Sequence, residues 1–138
     1  MKNQRELKTG DRVAIIGGGP AGSFFALCLQ RLAAAKGISP QVTIFQERNF
    51  DELGPKGCKG CVGLLSINLL ANLRELDLSI PNDIIQSHID QYAVHSPFSS
   101  IILNKSKNEP QILAIFRGGG PSVGIQKNIR GFDGWLLN

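Results

Sequence analysis

The stretch VAIIGGGPAGSFFA, residues 13–26, decides the class of fold that this chain predicts. Residues 12–16 are rich in valine and isoleucine, which is typical of a strand covered on both faces in a parallel sheet. Glycines follow, and a helix is expected to start near Pro20, because the missing N–H of proline would be unpaired in a first helical turn anyway. The stretch therefore predicts a buried strand, a glycine turn and a helix.

The glycines of this turn have the spacing G-x-G-x-x-G at Gly17, Gly19 and Gly22. Gly17 allows the tight turn out of the strand, Gly19 lets the backbone approach a diphosphate, and Gly22 lets the helix pack closely on the strand. Unpaired N–H groups and the positive end of the helix dipole then face the phosphates. The predicted dinucleotide site comprises Gly17, Gly19, Pro20, Ala21 and Gly22.

A second strand is predicted at residues 41–47, after a helix that ends near Gly37. The two strands and the helix between them form one βαβ unit, whose crossover should be right-handed. Glu47 ends the second strand, where an acidic side chain can accept hydrogen bonds from a ribose. This acid suits the ribose of FAD or of NAD, so both ligands stay open at this point.

The expected core face of the first helix comprises Phe24, Leu27, Cys28, Leu32 and Ala35, with Ala26 on a small-residue face against the sheet.

The remaining pattern predicts a second layer of structure. A loop is expected over residues 48–63 and an amphipathic helix over residues 66–76. Three β-like runs, 89–95, 100–103 and 111–117, predict an antiparallel meander, and residues 132–137 begin another helix. The fold class is therefore α/β.

Composition limits the classes of function. With 138 residues, 42% of them hydrophobic and 19% charged, the chain has the balance of one folded domain and not that of a disordered one. A formal charge of +4, spread along the chain, gives little support to nucleic-acid binding. No apolar run approaches the ~20 residues of a membrane span. Three cysteines without an export signal favour a reducing compartment, so the cytoplasm is the expected location.

GGGPAG at residues 17–22, together with FQER at residues 45–48, resembles the flavin-dependent oxidoreductases of the geranylgeranyl reductase and p-hydroxybenzoate hydroxylase type. The resemblance implies that FAD is the cofactor, bound through its ADP half, with NAD(P)H as a candidate reductant. It also implies hydride transfer to an unsaturated or aromatic substrate, a small or lipid-like molecule. In that family an arginine after the acid lies beside the adenosine, which is one reading of Arg48; an exposed surface arginine is the other.

Two further stretches extend the resemblance. GPKGCKGCVGLLS, residues 54–66, occupies the place of a glycine- and cysteine-containing loop in geranylgeranyl reductase-like proteins. IRGFDGWLL, residues 129–137, is similar to the R-x-x-F-D-x-x-L signature of that family, with Arg130 one residue closer to Phe132 than usual. The resemblance implies that Arg130 approaches the flavin or its ribityl chain.

The resemblance also implies an incomplete FAD-binding fold, because the family has further strands and a later Gly-Asp motif. We therefore expect the N-terminal part of a longer flavoenzyme, completed by a missing C-terminal half or by a homo-oligomer. The predicted organisation is a polar leader at 1–11, the βαβ dinucleotide-binding unit at 12–57, a CxxC loop and helix at 58–80, a β meander of a partial substrate domain at 81–128, and the start of a helix returning to the FAD domain at 129–138.

Cys58 and Cys61 form a C-x-x-C flanked by glycines and lysines. Three readings stay open: a structural loop, a redox or flavin-facing pair, and half of a metal site supplied elsewhere. No complete metal site is predicted. The second glycine run, RGGGP at 117–121, leads into no helical pattern and predicts a flexible turn, with a pocket lining as the alternative.

Two other functions remain open at this stage. The chain could be a catalytically silent fragment that binds FAD or NAD, in which case it would bind the nucleotide and show no turnover. It could instead be a thiol redox adaptor that uses Cys58 and Cys61, and such an activity would survive replacement of Gly19.

Overall fold

The computed structural model describes residues 6–50, 52, 61, 63–104, 112–119 and 130–138. The chain divides into two compact units, Met1–Phe50 with Asp133–Asn138, and Asp51–Phe132. The elements in chain order are β1 Arg12–Ile16, α1 Pro20–Ala35, β2 Gln41–Phe45, β3 Leu64–Leu65, α2 Ile67–Glu75, β4 Ile85–Ile89, β5 Gln91–His95, β6 Ser100–Asn104, β7 Ile112–Ile115 and α3 Phe132–Leu137. The predicted α/β class is confirmed. No helix among these residues is long and apolar enough to cross a bilayer.

In the first unit, β1 and β2 run parallel, in register from Arg12 beside Gln41 to Ile16 beside Phe45. The predicted order of strand, glycine turn, helix and strand is therefore confirmed. Within the described residues this sheet has two strands, so a complete Rossmann-like sheet is not confirmed. The register nevertheless places the carboxyl ends of both strands side by side, which is where open parallel sheets hold their ligands.

The prediction that β1 is covered on both faces is wrong. Ile15 is buried, but Ile16 is 83% exposed, and its neighbour Phe45 on β2 is 55% exposed. Successive side chains of a strand point to opposite faces, so a single covering layer buries only every second one. In this unit, α1 packs on both strands.

The core face predicted for α1 is also wrong in part. Cys28 is exposed and Leu32 is 63% exposed, whereas Ser23, Ala26 and Ala33 are buried. The predicted contact of Ala26 with the sheet side is consistent with its burial. Small side chains let a helix axis approach a sheet closely, and this approach turns the larger residues outward. Helical periodicity finds an apolar stripe but does not say which stripe packs against a two-stranded sheet.

The second unit contains a three-stranded antiparallel sheet in the order β3-β7-β4. The predicted amphipathic helix is present as α2. It begins at the N-cap Ser66, whose hydroxyl accepts a hydrogen bond from the Leu69 N–H at 3.3 Å, and it buries Leu73 almost completely. The helix ends at Glu75, and Asp77, just after the C-cap Leu76, has a φ of 57° in the left-handed region. The N–H of Asp77 donates to Arg74 and that of Leu78 donates to Leu73, which forms a Schellman cap.

The predicted meander is only partly present. Its first two runs pair antiparallel as the hairpin β5-β6, from Gln91 beside Asn104 to His95 beside Ser100. The third run, β7, pairs with β3 and β4 and not with β6. The cause lies in burial, since Leu113 and Ile115 of β7 alternate into the core, whereas every residue of β5 and β6 is exposed.

Candidate functional site

The first glycine turn connects β1 to α1. Gly17 has a φ of 97°, a conformation that side-chain-bearing residues rarely adopt, and its N–H donates to the Phe45 carbonyl at 2.8 Å. A Cβ on Gly22 would collide with the Gly17 carbonyl oxygen and lie 3.2 Å from Cγ2 of Ile15. The structure therefore requires glycine at both positions for reasons internal to the protein.

Gly19 differs from its neighbours in this respect. Its φ of −68° is accessible to any residue, and a Cβ placed on it would meet no atom of the described residues within 4 Å. Neither backbone conformation nor packing requires glycine there. The missing side chain leaves the backbone of the turn open on the side where α1 begins.

The first turn of α1 presents unpartnered hydrogen-bond donors. The N–H of Ser23 donates to the Gly19 carbonyl at 3.0 Å, which starts the helical ladder. The N–H groups of Gly19, Ala21 and Gly22 donate to no acceptor in the described part of the chain, and Pro20 has no N–H. Gly19, the N-cap, supplies no side-chain cap, and the first turn contains no acidic residue. The positive end of the helix dipole is thus left without a negative partner from its own helix.

Two polar side chains that the sequence analysis did not single out hold the turn. Oε1 of Gln46 accepts a hydrogen bond from the Gly18 N–H at 2.6 Å, and Nε2 of Gln46 donates to the Arg48 carbonyl at 3.0 Å. Oγ of the buried Ser23 donates to the Gly18 carbonyl at 3.0 Å. Gln46 therefore ties the glycine turn to the segment that carries Glu47. In the sequence, the feature that could have indicated this hydrogen-bond network is Ser23, a polar residue on the small-residue face of α1.

Glu47 and Arg48 lie at the carboxyl end of β2, beside the turn. Both side chains are exposed, and Glu47 forms no ion pair with any described residue. Because Ile16 pairs with Phe45, the turn and the segment after β2 leave the sheet at the same edge. The fold brings Glu47 and Arg48 to the edge where the glycine turn begins.

The remaining candidate residues belong to the second unit. Arg130 is exposed there. Cys61 is an exposed free thiol, and Nη1 of Arg117 donates to its sulfur at 3.2 Å. Cys58 lies outside the described residues. Within the described ranges, no group of three or more His, Cys, Asp or Glu side chains is arranged to hold a metal ion.

The second glycine run is closed by another part of its own unit. Gly118 and Gly119 have positive φ values of 96° and 73°. The N–H of Phe132 donates to the Phe116 carbonyl at 2.8 Å, and a Cβ on Gly131 would collide with the backbone of Arg117 and Gly118. At its described residues, 117–119, the backbone of this run turns and is packed against the segment at Gly131 and Phe132.

No protein-family model, curated protein or solved structure was found to match this chain.

Proposed function

We propose that this chain binds the diphosphate of FAD at residues 17–22 and serves as the ADP-binding part of a flavin-dependent oxidoreductase. The observation that carries this proposal is the set of unpartnered N–H groups on Gly19, Ala21 and Gly22. They stand at the positive end of a 16-residue helix, beside Gly19, where a Cβ would meet no described atom within 4 Å. Such a helix start suits an anion that can accept several backbone hydrogen bonds, as a diphosphate can.

The residues after β2 take the adenosine side of the ligand in this proposal. Glu47 accepts hydrogen bonds from the ribose, and Arg48 lies beside the adenosine. Gln46 is a positioning residue, because its two hydrogen bonds fix Gly18 and Arg48 relative to each other. The preference for FAD over NAD comes from the sequence GPAG and the family resemblance. Bound FAD would supply hydride transfer, with NAD(P)H as reductant and an unsaturated or aromatic molecule as acceptor.

A second candidate function is thiol redox chemistry at Cys61. The hydrogen bond from Arg117 and the exposure of the thiol favour it, because an accessible sulfur beside a cation is a common setting for reactive cysteines. This activity would be lost in Cys61→Ser and retained in Gly19→Val. Residues 17–22 would play no part in it.

The proposed function is tested by titrating the purified chain with FAD and following flavin fluorescence and absorbance, with ADP as a competitor. Gly19→Val should weaken FAD binding about tenfold or more, because the valine side chain blocks the approach to the helix start, a loss comparable to one or two hydrogen bonds to a charged group. Its unfolding free energy should stay within about 0.5 kcal/mol of the parent value, because the added atoms point into open space.

Gly37→Ala is the matched control. Gly37 also faces open space but has a φ of 68°, so alanine there should cost about 1 kcal/mol of stability and leave FAD binding unchanged. Equal FAD affinity of Gly19→Val and the parent chain would contradict the proposal, as would a parent chain that binds neither FAD nor ADP. Bleaching of the bound flavin by NAD(P)H would support an oxidoreductase, whereas tight binding without bleaching would support the silent fragment.

A further inference from the structure

An apolar groove lies in the second unit, between α2, the segment after it, and the strands β4 and β7. Its volume is about 330 Å³, at the small end of the range for ligand sites. The apolar walls include Leu70, Leu73, Leu78, Ile80, Ile85 and Leu113. Leu73 forms the buried floor, being only 1% exposed.

The polar groups of this groove are few and are not acidic. Arg74, Ser79 and His88 line it, and no Asp or Glu is found among its described lining residues. Arg74 is exposed on the last turn of α2 and makes no ion pair within the described part of the chain. The groove thus combines an apolar wall with one unpaired guanidinium.

The end of α2 does not oppose an anion as strongly as an uncapped helix end would. Carbonyl groups at a helix C-terminus repel anions when they are left without donors. Here the Leu73 carbonyl accepts from the N–H groups of Leu76 and Leu78, and the Arg74 carbonyl accepts from that of Asp77. The Schellman cap supplies backbone donors to these carbonyls, and among the described lining residues Arg74 is the one lysine or arginine.

We infer that this groove binds an amphipathic carboxylate with a single alkyl chain, of the class of a free medium-chain fatty acid. The chain lies along the half-buried side chains Leu70, Leu78 and Ile85, and the carboxylate accepts two parallel hydrogen bonds from the Arg74 guanidinium, an arrangement that suits the planar fork of arginine. This inference is independent of the proposed flavin site, which is formed by residues of the other unit.

The test is calorimetric titration of the full chain with decanoate below its micellar concentration, with decanol as the uncharged ligand of equal chain length. Arg74→Gln should weaken decanoate binding about tenfold or more and leave decanol binding unchanged, because only the carboxylate uses the guanidinium. Arg74→Lys should restore part of the loss. Arg31→Gln removes an exposed arginine of the other unit and should change neither affinity.

Filling the groove gives a second, independent test. Ala71 lines the groove and is exposed, so Ala71→Trp should fold normally by circular dichroism and weaken both decanoate and decanol about tenfold or more. The inference is overturned if the parent chain does not bind decanoate, if Arg74→Gln binds it as tightly as the parent does, or if Ala71→Trp leaves both affinities unchanged.

Discussion

The two glycine runs of this chain resemble each other in sequence and differ in what surrounds them. Each follows a strand, and each turns the chain with a glycine at nearly the same φ, 97° at Gly17 and 96° at Gly118. The first run opens into α1 and leaves the N–H groups of Gly19, Ala21 and Gly22 without acceptors among the described residues. The second run is met by Gly131, whose backbone packs directly on Arg117 and Gly118.

This difference shows that glycines at a strand end serve two separate purposes. In the second run they allow two backbone segments of the protein to approach each other. In the first run Gly22 likewise allows a close backbone approach and Gly17 supplies the positive φ of the turn, but a Cβ on Gly19 would meet no described atom within 4 Å. A glycine without a structural reason is the position at which an external ligand is the better explanation.

The largest expected change in stability is at Gly131, whose backbone packs on the second glycine run. Gly131→Ala should lower the unfolding free energy by more than about 3 kcal/mol, because the new methyl group would meet backbone atoms that cannot move aside as a flexible side chain can. Urea denaturation followed by circular dichroism measures this loss. Gly37→Ala, which adds the same methyl group in open space, should cost only about 1 kcal/mol. Equal losses in the two variants would show that backbone contact is not what distinguishes the second run.

A smaller loss of stability is expected when Gln46 is replaced, because its side chain accepts a hydrogen bond from Gly18 of the first glycine run. Gln46→Ala should cost about 1–2 kcal/mol, because it leaves the buried Gly18 N–H without its acceptor. It should also weaken FAD binding several-fold, because the segment carrying Glu47 loses its tie to the turn. Gln41→Ala, at the exposed start of the same strand, is the control for both measurements. A stable Gln46→Ala chain with unchanged FAD affinity would mean that the turn holds its shape without this side chain.

The smallest expected change in stability tests whether a positive φ favours glycine at a position where no close backbone contact requires it. Asp77 is the one described non-glycine residue with positive φ, at 57°. If positive φ alone makes glycine favourable in the two runs, Asp77→Gly should raise the unfolding free energy by about 0.5–1 kcal/mol. Thermal and urea unfolding would show the gain. A loss of stability would indicate that the aspartate contributes more at this cap than its backbone strain costs.

The local parts of the first unit could be predicted because local rules determine them. Valine- and isoleucine-rich residues formed β1, Pro20 began α1, and Gly17 took the positive φ that its turn requires. These features depend on neighbours within a few residues. The glycine spacing could therefore be placed correctly between a strand and a helix.

The features that were missed depend on contacts between distant residues. The buried face of α1 was mispredicted because it depends on how closely the helix approaches two strands, and Cys28 lies outside that contact. Gln46 was missed because its partner Gly18 is 28 residues away in sequence. The pairing of β7 with β3 and β4 likewise depends on which strands present a buried face, which alternation within one strand does not reveal.

The most direct measurement is an ¹⁵N-resolved NMR titration of the chain with ADP, which carries the diphosphate without the flavin. We expect the largest amide shifts to fall on Gly19, Ala21 and Gly22, because their N–H groups donate hydrogen bonds to the phosphate oxygens. The amides of Gly118 and Gly119 should not move, although they belong to the same kind of glycine run. Absence of shifts at the first run, or equal shifts at both runs, would contradict the assignment of the first glycine turn as a dinucleotide site.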